Sequence, residues 1–211
     1  MTGGNFHRLF VNVLTFSRVP FIFAFMAAAV VAECTGSVLS AVLASVFMFV
    51  AGISDLFDGL LARRWQVVSN FGKLADPLMD KVFFIVTFPT LLWIIGHQHD
   101  NALHAVFMLV FTVLYILRDQ WVTFLRAVAS AYHADVGAMW LGKVRTALSF
   151  PAAGLIYLYL LLHANLPAAG DAWFVGAVYV VEIGLIMLNV YSCIVYTKAY
   201  MPYMRLAIGM K

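Results

Sequence analysis

The chain has 211 residues, 64% of them hydrophobic and 11% charged, with a formal net charge of +3. A soluble domain is about 45–50% apolar and about 25% charged, and a core of this size cannot hide so much apolar surface, so a water-soluble globular protein is excluded. In so apolar a chain the positive balance points to anionic lipid, not to nucleic acid.

A helix needs roughly 20 mostly apolar residues to cross the hydrocarbon core of a bilayer. Six segments qualify: about 9–32, 37–62, 72–96, 102–126, 142–163 and 173–197. The joints between them are short and polar or contain Gly and Pro, so residues 1–211 are expected to form a single all-α membrane domain, a six-transmembrane-helix bundle. Ahead of the first segment, MTGGNFHRLF leaves room for a short interfacial helix with Phe6, Leu9 and Phe10 turned towards lipid. At its far end AAAVVAEC faintly resembles a leader cleavage site, but Glu33 stands where a small residue is wanted before Cys34. The first helix is expected to be retained.

The second segment ends in Asp55 and Asp58, three apart and so on one helical face, followed by Gly59, Ala62 and Arg63. The third opens with Gly72 and Lys73, carries Asp76 and Asp80 four apart, and continues with Lys81. A short joint makes these helices antiparallel neighbours, so the two aspartate pairs are expected to face each other. Ionisable residues at membrane depth are costly and by default functional. Four carboxylates in one small space repel unless some are protonated or cations neutralise them, and their oxygens suit hard ions such as Mg²⁺ or Mn²⁺. The small residues beside them either permit close helix packing or bare the backbone to a flat ligand. Metals, a guanidinium and bare backbone together suit a pyrophosphate ester. The blander reading is a set of snorkelling acids paired with nearby Arg and Lys.

His97 and His99, in the joint after the third segment, are expected to be solvated. The fourth segment holds Arg118, deep in the bundle, then Asp119, with Arg126 two turns on; the fifth opens with Lys143 and Arg145. With Lys81 these basic residues suit a pocket for a phosphorylated acceptor, Arg giving bidentate contacts; the alternative is that Arg126, Lys143 and Arg145 only anchor the helix ends. Pairing of Arg118 with Asp119 is the alternative use of that arginine, although adjacent helical residues point apart. Glu182 is a lone acid in the sixth segment, suited to a hydrogen bond within the bundle or a dimer contact. Cys34 falls at the outer end of the first helix and Cys193 near the inner end of the sixth, about a bilayer apart, so no disulfide is expected.

The joints AECTGS, GHQHDN and HANLPAAGDA contain no Lys or Arg, and all 13 basic residues lie elsewhere. With six spans this puts every basic residue on one side, which the positive-inside rule makes cytoplasmic, N-in and C-in.

Asp55, Asp58-Gly59, Ala62-Arg63, Gly72, Asp76 and Asp80 match the signature D-x2-D-G-x2-A-R-x8-G-x3-D-x3-D, and the chain thereby resembles the CDP-alcohol phosphotransferases. NVLTFSRV, with Asn12, Thr15 and Arg18, is similar to that family's first-helix opening. DPLMDK, RDQWVTFLR and GKVRT resemble its phosphatidylglycerophosphate synthase branch, although Asp119 stands where Glu is expected and Met79 where Ala is more usual.

The resemblance implies transfer of a phosphatidyl group from CDP-diacylglycerol to an alcohol, with release of CMP and glycerol 3-phosphate as the expected acceptor. It implies two divalent ions, Mg²⁺ or Mn²⁺, on Asp55, Asp58, Asp76 and Asp80, with Asp80 as general base. Thr15, Asp58, Gly59, Ala62, Arg63 and Gly72 would bind CDP-diacylglycerol, and Lys81, Arg118, Arg126, Lys143 and Arg145 the acceptor phosphate. A homodimer in a bacterial inner membrane, its site facing the cytoplasm, is further implied. Inositol phosphate, serine and phosphatidylglycerol remain rival acceptors. An ion-coupled transporter is the rival of another class, disfavoured because transport sites lie nearer the bilayer midplane, often in inverted repeats.

Overall fold

The structure is a computed structural model that describes residues 3–67, 70–98, 102–133, 139–165 and 172–209. At Asp55, Asp58, Ala62, Arg63, Gly72, Lys73 and Asp76 it describes the helical backbone alone. Six helices follow one another: α1 Gly3–Thr35, α2 Val38–Arg64, α3 Asn70–His97, α4 Ala102–Ala131, α5 Trp140–Asn165 and α6 Ala172–Ala207. No strand occurs among the described residues. All six helices are long and apolar enough to cross a membrane, as the composition required.

Every helix outruns the segment expected for it or matches its start. The shortest, α5, has 26 residues, which at 1.5 Å per residue is about 39 Å, against about 30 Å of hydrocarbon. Hydropathy marks only the part of a helix that sits in oil. The backbone continues its hydrogen bonding until something stops it. Gly36 stops α1: its φ is 65°, and its N–H donates to the Ala32 carbonyl over 2.9 Å. Ser37 then caps α2, its Oγ accepting from the N–H of Ser40 at 3.3 Å. The opening residues, read as room for a separate interfacial helix, are continuous with α1 from Gly3 onward.

Each helix buries one stripe and exposes the rest. On α1 the stripe is Val11, Thr15, Arg18, Ile22, Phe25 and Ala29, alternating steps of four and three; on α2 it is Ala41, Ala44, Met48, Ala51 and Ser54. The opposite faces carry exposed Leu, Val and Phe, as lipid contact requires. Polar and charged residues thus sit on the inward stripes, the reverse of a soluble bundle. The alanines of α2 let it lie close against α1.

By contacts the chain divides into two compact units: residues 1–99 with 153–169, and residues 100–152 with 170–211. In the first, α1 packs on both α2 and α3. Tyr157, from the second half of α5, meets Phe25 edge-on at 5.3 Å and donates its hydroxyl to the Ala41 carbonyl over 3.4 Å. In the second unit α4 runs along α6, with Val122, Leu125, Ala129, Tyr196 and Tyr200 in the core between them. His104 of α4 and Glu182 of α6 meet at 2.7 Å, both fully buried, and Glu182 Oε2 has no hydrogen-bond partner among the described residues.

Candidate functional site

In the first unit α2 carries Asp55, Asp58, Gly59, Ala62 and Arg63 within its last ten residues, and α3 carries Gly72, Asp76, Asp80 and Lys81 within its first twelve. Both helices pack on α1. Of the four aspartates, Asp80 has a described side chain; those of Asp55, Asp58 and Asp76, like those of Ala62 and Arg63, lie outside the described residues, as does His99. Asp80 Oδ1 accepts a hydrogen bond from Arg18 Nη1 at 3.2 Å. Arg18 has no exposed side-chain surface, while Asp80 keeps 31% of its own.

Arg18, counted above only among the basic residues of one side, is a buried residue. It stands on the buried stripe of α1, four turns in, so its guanidinium points to α3 instead of to headgroups. Thr15, one turn before it, is buried and donates to the Val11 carbonyl at 3.1 Å. Lys81 is half-buried and Gly59 likewise. Among the described residues no group of three or more acidic, His or Cys side chains is placed to hold a metal.

The second unit contains a basic cluster built by three helices. Arg118 of α4 donates from Nε and Nη2 to Ser192 Oγ of α6, at 3.2 and 2.6 Å. Its Nη1 donates to Asp119 Oδ1 at 3.1 Å, so these neighbours pair, the alternative raised for Arg118 above. The long arginine stem curls back far enough to offset the angle between adjacent side chains. Arg145 of α5 donates from Nη2 to that same Asp119 oxygen and from Nη1 to Asn189 Oδ1 of α6, the latter at 3.1 Å. Each guanidinium also lies over a tyrosine ring: Arg118 over Tyr196 at 4.8 Å, Arg145 over Tyr115 at 4.1 Å.

Arg126 joins the cluster from its edge. It is exposed, yet its Nη2 donates to the Tyr196 hydroxyl at 3.4 Å and its charge lies 5.7 Å from that ring. Gly142 makes room for the arrangement, because a Cβ there would come within 2.7 Å of the Tyr196 hydroxyl. Lys143 is exposed, two residues before the buried Arg145 and hence on another face of α5.

Reasoning from sequence missed Ser192, Asn189 and Tyr196, and did not connect Asp119 with Arg145. A signal was present: Asn189, Ser192 and Tyr196 recur at steps of three and four on a helix otherwise apolar, which marks one inward face. Of the remaining polar residues, His97 is exposed at the end of α3 and stacks on Trp93 at 5.2 Å. Cys34 and Cys193 are both free thiols.

A family model described as CDP-alcohol phosphatidyltransferase matches residues 8–188. The chain is 34% identical over 181 residues to the CDP-diacylglycerol–glycerol-3-phosphate 3-phosphatidyltransferase of Treponema pallidum, a match covering 82% of this chain and 76% of that protein. Proteins of the same name match from Mycoplasma genitalium, 36% identical over 112 residues, and from Haemophilus influenzae, 29% identical over 118 residues. Those matches take in 53% and 54% of this chain, and 42% and 60% of the relatives, so the chain spans about half the length of these two.

Proposed function

The chain belongs to the CDP-alcohol phosphatidyltransferase family, and from that premise we propose that it transfers a phosphatidyl group from CDP-diacylglycerol to sn-glycerol 3-phosphate, giving phosphatidylglycerophosphate and CMP. The observation that carries the acceptor is the buried arginine pair. Arg118 and Arg145 share one carboxylate, which leaves a positive charge unmatched among buried groups. A phosphate monoester supplies the missing anion, and planar guanidinium forks suit its oxygens. Relatives whose names state this reaction support the same reading.

In this reading the acceptor hydroxyl oxygen attacks the phosphorus bearing the diacylglycerol, and the bond from that phosphorus to the CMP oxygen breaks. Asp80 takes the hydroxyl proton, its carboxylate held in place by Arg18. Thr15, Asp58, Gly59, Ala62, Arg63 and Gly72 seat CDP-diacylglycerol, with the small residues admitting the cytidine and Arg63 on the phosphates. Arg118 and Arg145 grip the acceptor phosphate, and Arg126, Lys143 and Lys81 add charge. Phosphoryl transfer asks mostly for such positioning and charge stabilisation.

The donor set fits two divalent cations, Mg²⁺ or Mn²⁺: Asp55, Asp58, Asp76 and Asp80 offer only hard carboxylate oxygens, and Asp80 keeps enough exposure to be reached. Bound there, the ions supply neutralisation of the pyrophosphate charge. The one-sided distribution of Lys and Arg supports an active site facing the cytoplasm of a bacterial inner membrane, and the family a homodimer.

The test is CMP release from CDP-diacylglycerol by the full chain in micelles with Mg²⁺ or Mn²⁺, offering glycerol 3-phosphate, inositol phosphate, serine and phosphatidylglycerol separately. Release is expected with glycerol 3-phosphate alone, abolished by EDTA and reduced at least about 1,000-fold in Asp80→Asn. Release with serine alone would overturn the acceptor, and no release with any of the four would overturn the reaction.

A further inference from the structure

The arginine cluster of the second unit poses an electrostatic problem that a single residue solves. Arg118 and Arg145 are 7% and 3% exposed, and their guanidiniums converge on one oxygen. Two like charges this close, with water largely excluded, repel strongly. Every other hold on them is neutral: the Ser192 hydroxyl, the Asn189 carboxamide oxygen and the rings of Tyr196 and Tyr115. Asp119 supplies the one negative charge that the described residues bring to the pair.

Asp119 also determines what the cluster has left to offer. Its Oδ1 engages Nη1 of Arg118 and Nη2 of Arg145, which fixes the planes of both forks. The Nε of Arg145 is buried and has no hydrogen-bond partner among the described residues. A buried guanidinium N–H without an acceptor is expensive, so its presence points to a ligand that supplies one. Three guanidiniums, counting Arg126 at the edge of Tyr196, and one carboxylate leave two positive charges. A phosphate monoester carries about that charge, negative, at neutral pH.

We propose that Asp119 is the positioning residue of the acceptor site: it locks Arg118 and Arg145 in one geometry and trims the cluster to the charge of a phosphate monoester dianion. This rests on the reading that the cluster binds the acceptor phosphate. A phosphorylated alcohol such as glycerol 3-phosphate is selected over uncharged or zwitterionic ones because a dianion matches the three guanidiniums less their one carboxylate and offers an acceptor to Arg145 Nε, unpartnered among the described residues.

The experiment measures kcat and KM for both substrates in the purified full chain, with Asp119→Ala, Asp119→Glu and Arg145→Gln beside the unaltered protein. Asp119→Ala is expected to raise the glycerol 3-phosphate KM about tenfold or more, the scale of one charge-assisted hydrogen bond, while the CDP-diacylglycerol KM moves less than about twofold. Asp119→Glu, which restores the charge, is expected to return the acceptor KM to within about threefold. If Asp119→Ala does not fold, Asp119→Ser takes its place with the same expectation. Equal changes in both KM values, or a fall in kcat with both KM values unmoved, would make Asp119 a structural tie and overturn the proposal. If Arg145→Gln raises the acceptor KM and Asp119→Ala does not, the proposal alone falls. If neither variant moves it, the phosphate-site reading falls as well.

Discussion

Arg18 spans from α1 to α3 with its whole side chain out of solvent, and its partner Asp80 is the proposed base. A buried charge-assisted hydrogen bond of this kind both fixes a carboxylate and is costly to break. Arg18→Gln keeps a donor but loses the charge and the reach, so the hold of α1 on Asp80 is weakened. We expect kcat to fall about 10- to 100-fold, from roughly 1.5–3 kcal/mol of lost positioning, with both KM values little changed. Steady-state CMP release in micelles reads the split directly. A fall in expression with normal kcat in the surviving protein would make the pair a packing feature only.

At the scale of the helix, the His104–Glu182 pair ties the first turn of α4 to α6 about three turns from its start. Removing one partner of a buried ionisable pair costs about 3–5 kcal/mol, whereas replacing both with apolar residues of similar size is often neutral. His104→Leu alone is expected to lower the thermal midpoint strongly, because Glu182 then has neither oxygen paired. His104→Leu with Glu182→Leu is expected to recover most of the loss, and thermal unfolding in detergent would show it as strong non-additivity. Additive losses would mean that the two side chains do not act as a pair.

The same helices show what was legible in the sequence. Six spans could be counted, because about 20 apolar residues in a row have no other stable use. The aspartate spacing could be placed on helical faces, because i, i+3 and i, i+4 are geometry and not context. Helix ends were not legible: α6 runs ten residues past its expected end, since hydropathy falls where the hydrocarbon stops but backbone hydrogen bonding does not. The inward faces were obscured because lipid-facing and core residues are equally apolar, leaving scattered polar residues as the only markers. Arg18 was such a marker, and a count of basic residues by side does not tell its depth. The shared Asp119 oxygen was hidden because it joins residues 26 apart in the chain, on α4 and α5.

For the molecule as a whole, the one-sided basic residues assign an orientation that a chemical label can check. Cys34 is exposed at the end of α1, beside a joint free of Lys and Arg, whereas Cys193 is half-buried. A membrane-impermeant maleimide added to intact spheroplasts is expected to modify Cys34, and Cys34→Ser to abolish the labelling. Labelling of Cys34 only after the membrane is opened would reverse the topology and put the aspartates on the far side. The 36 residues of α6 make a rod about 54 Å long, nearly twice the hydrocarbon depth of about 30 Å. Such a rod leans, bends or carries its ends out among the headgroups, and how far it does so depends on the surrounding lipid. Bilayer thickness therefore acts on this protein as a mechanical load, and a protein proposed to make phospholipid would be set at an angle by its own product.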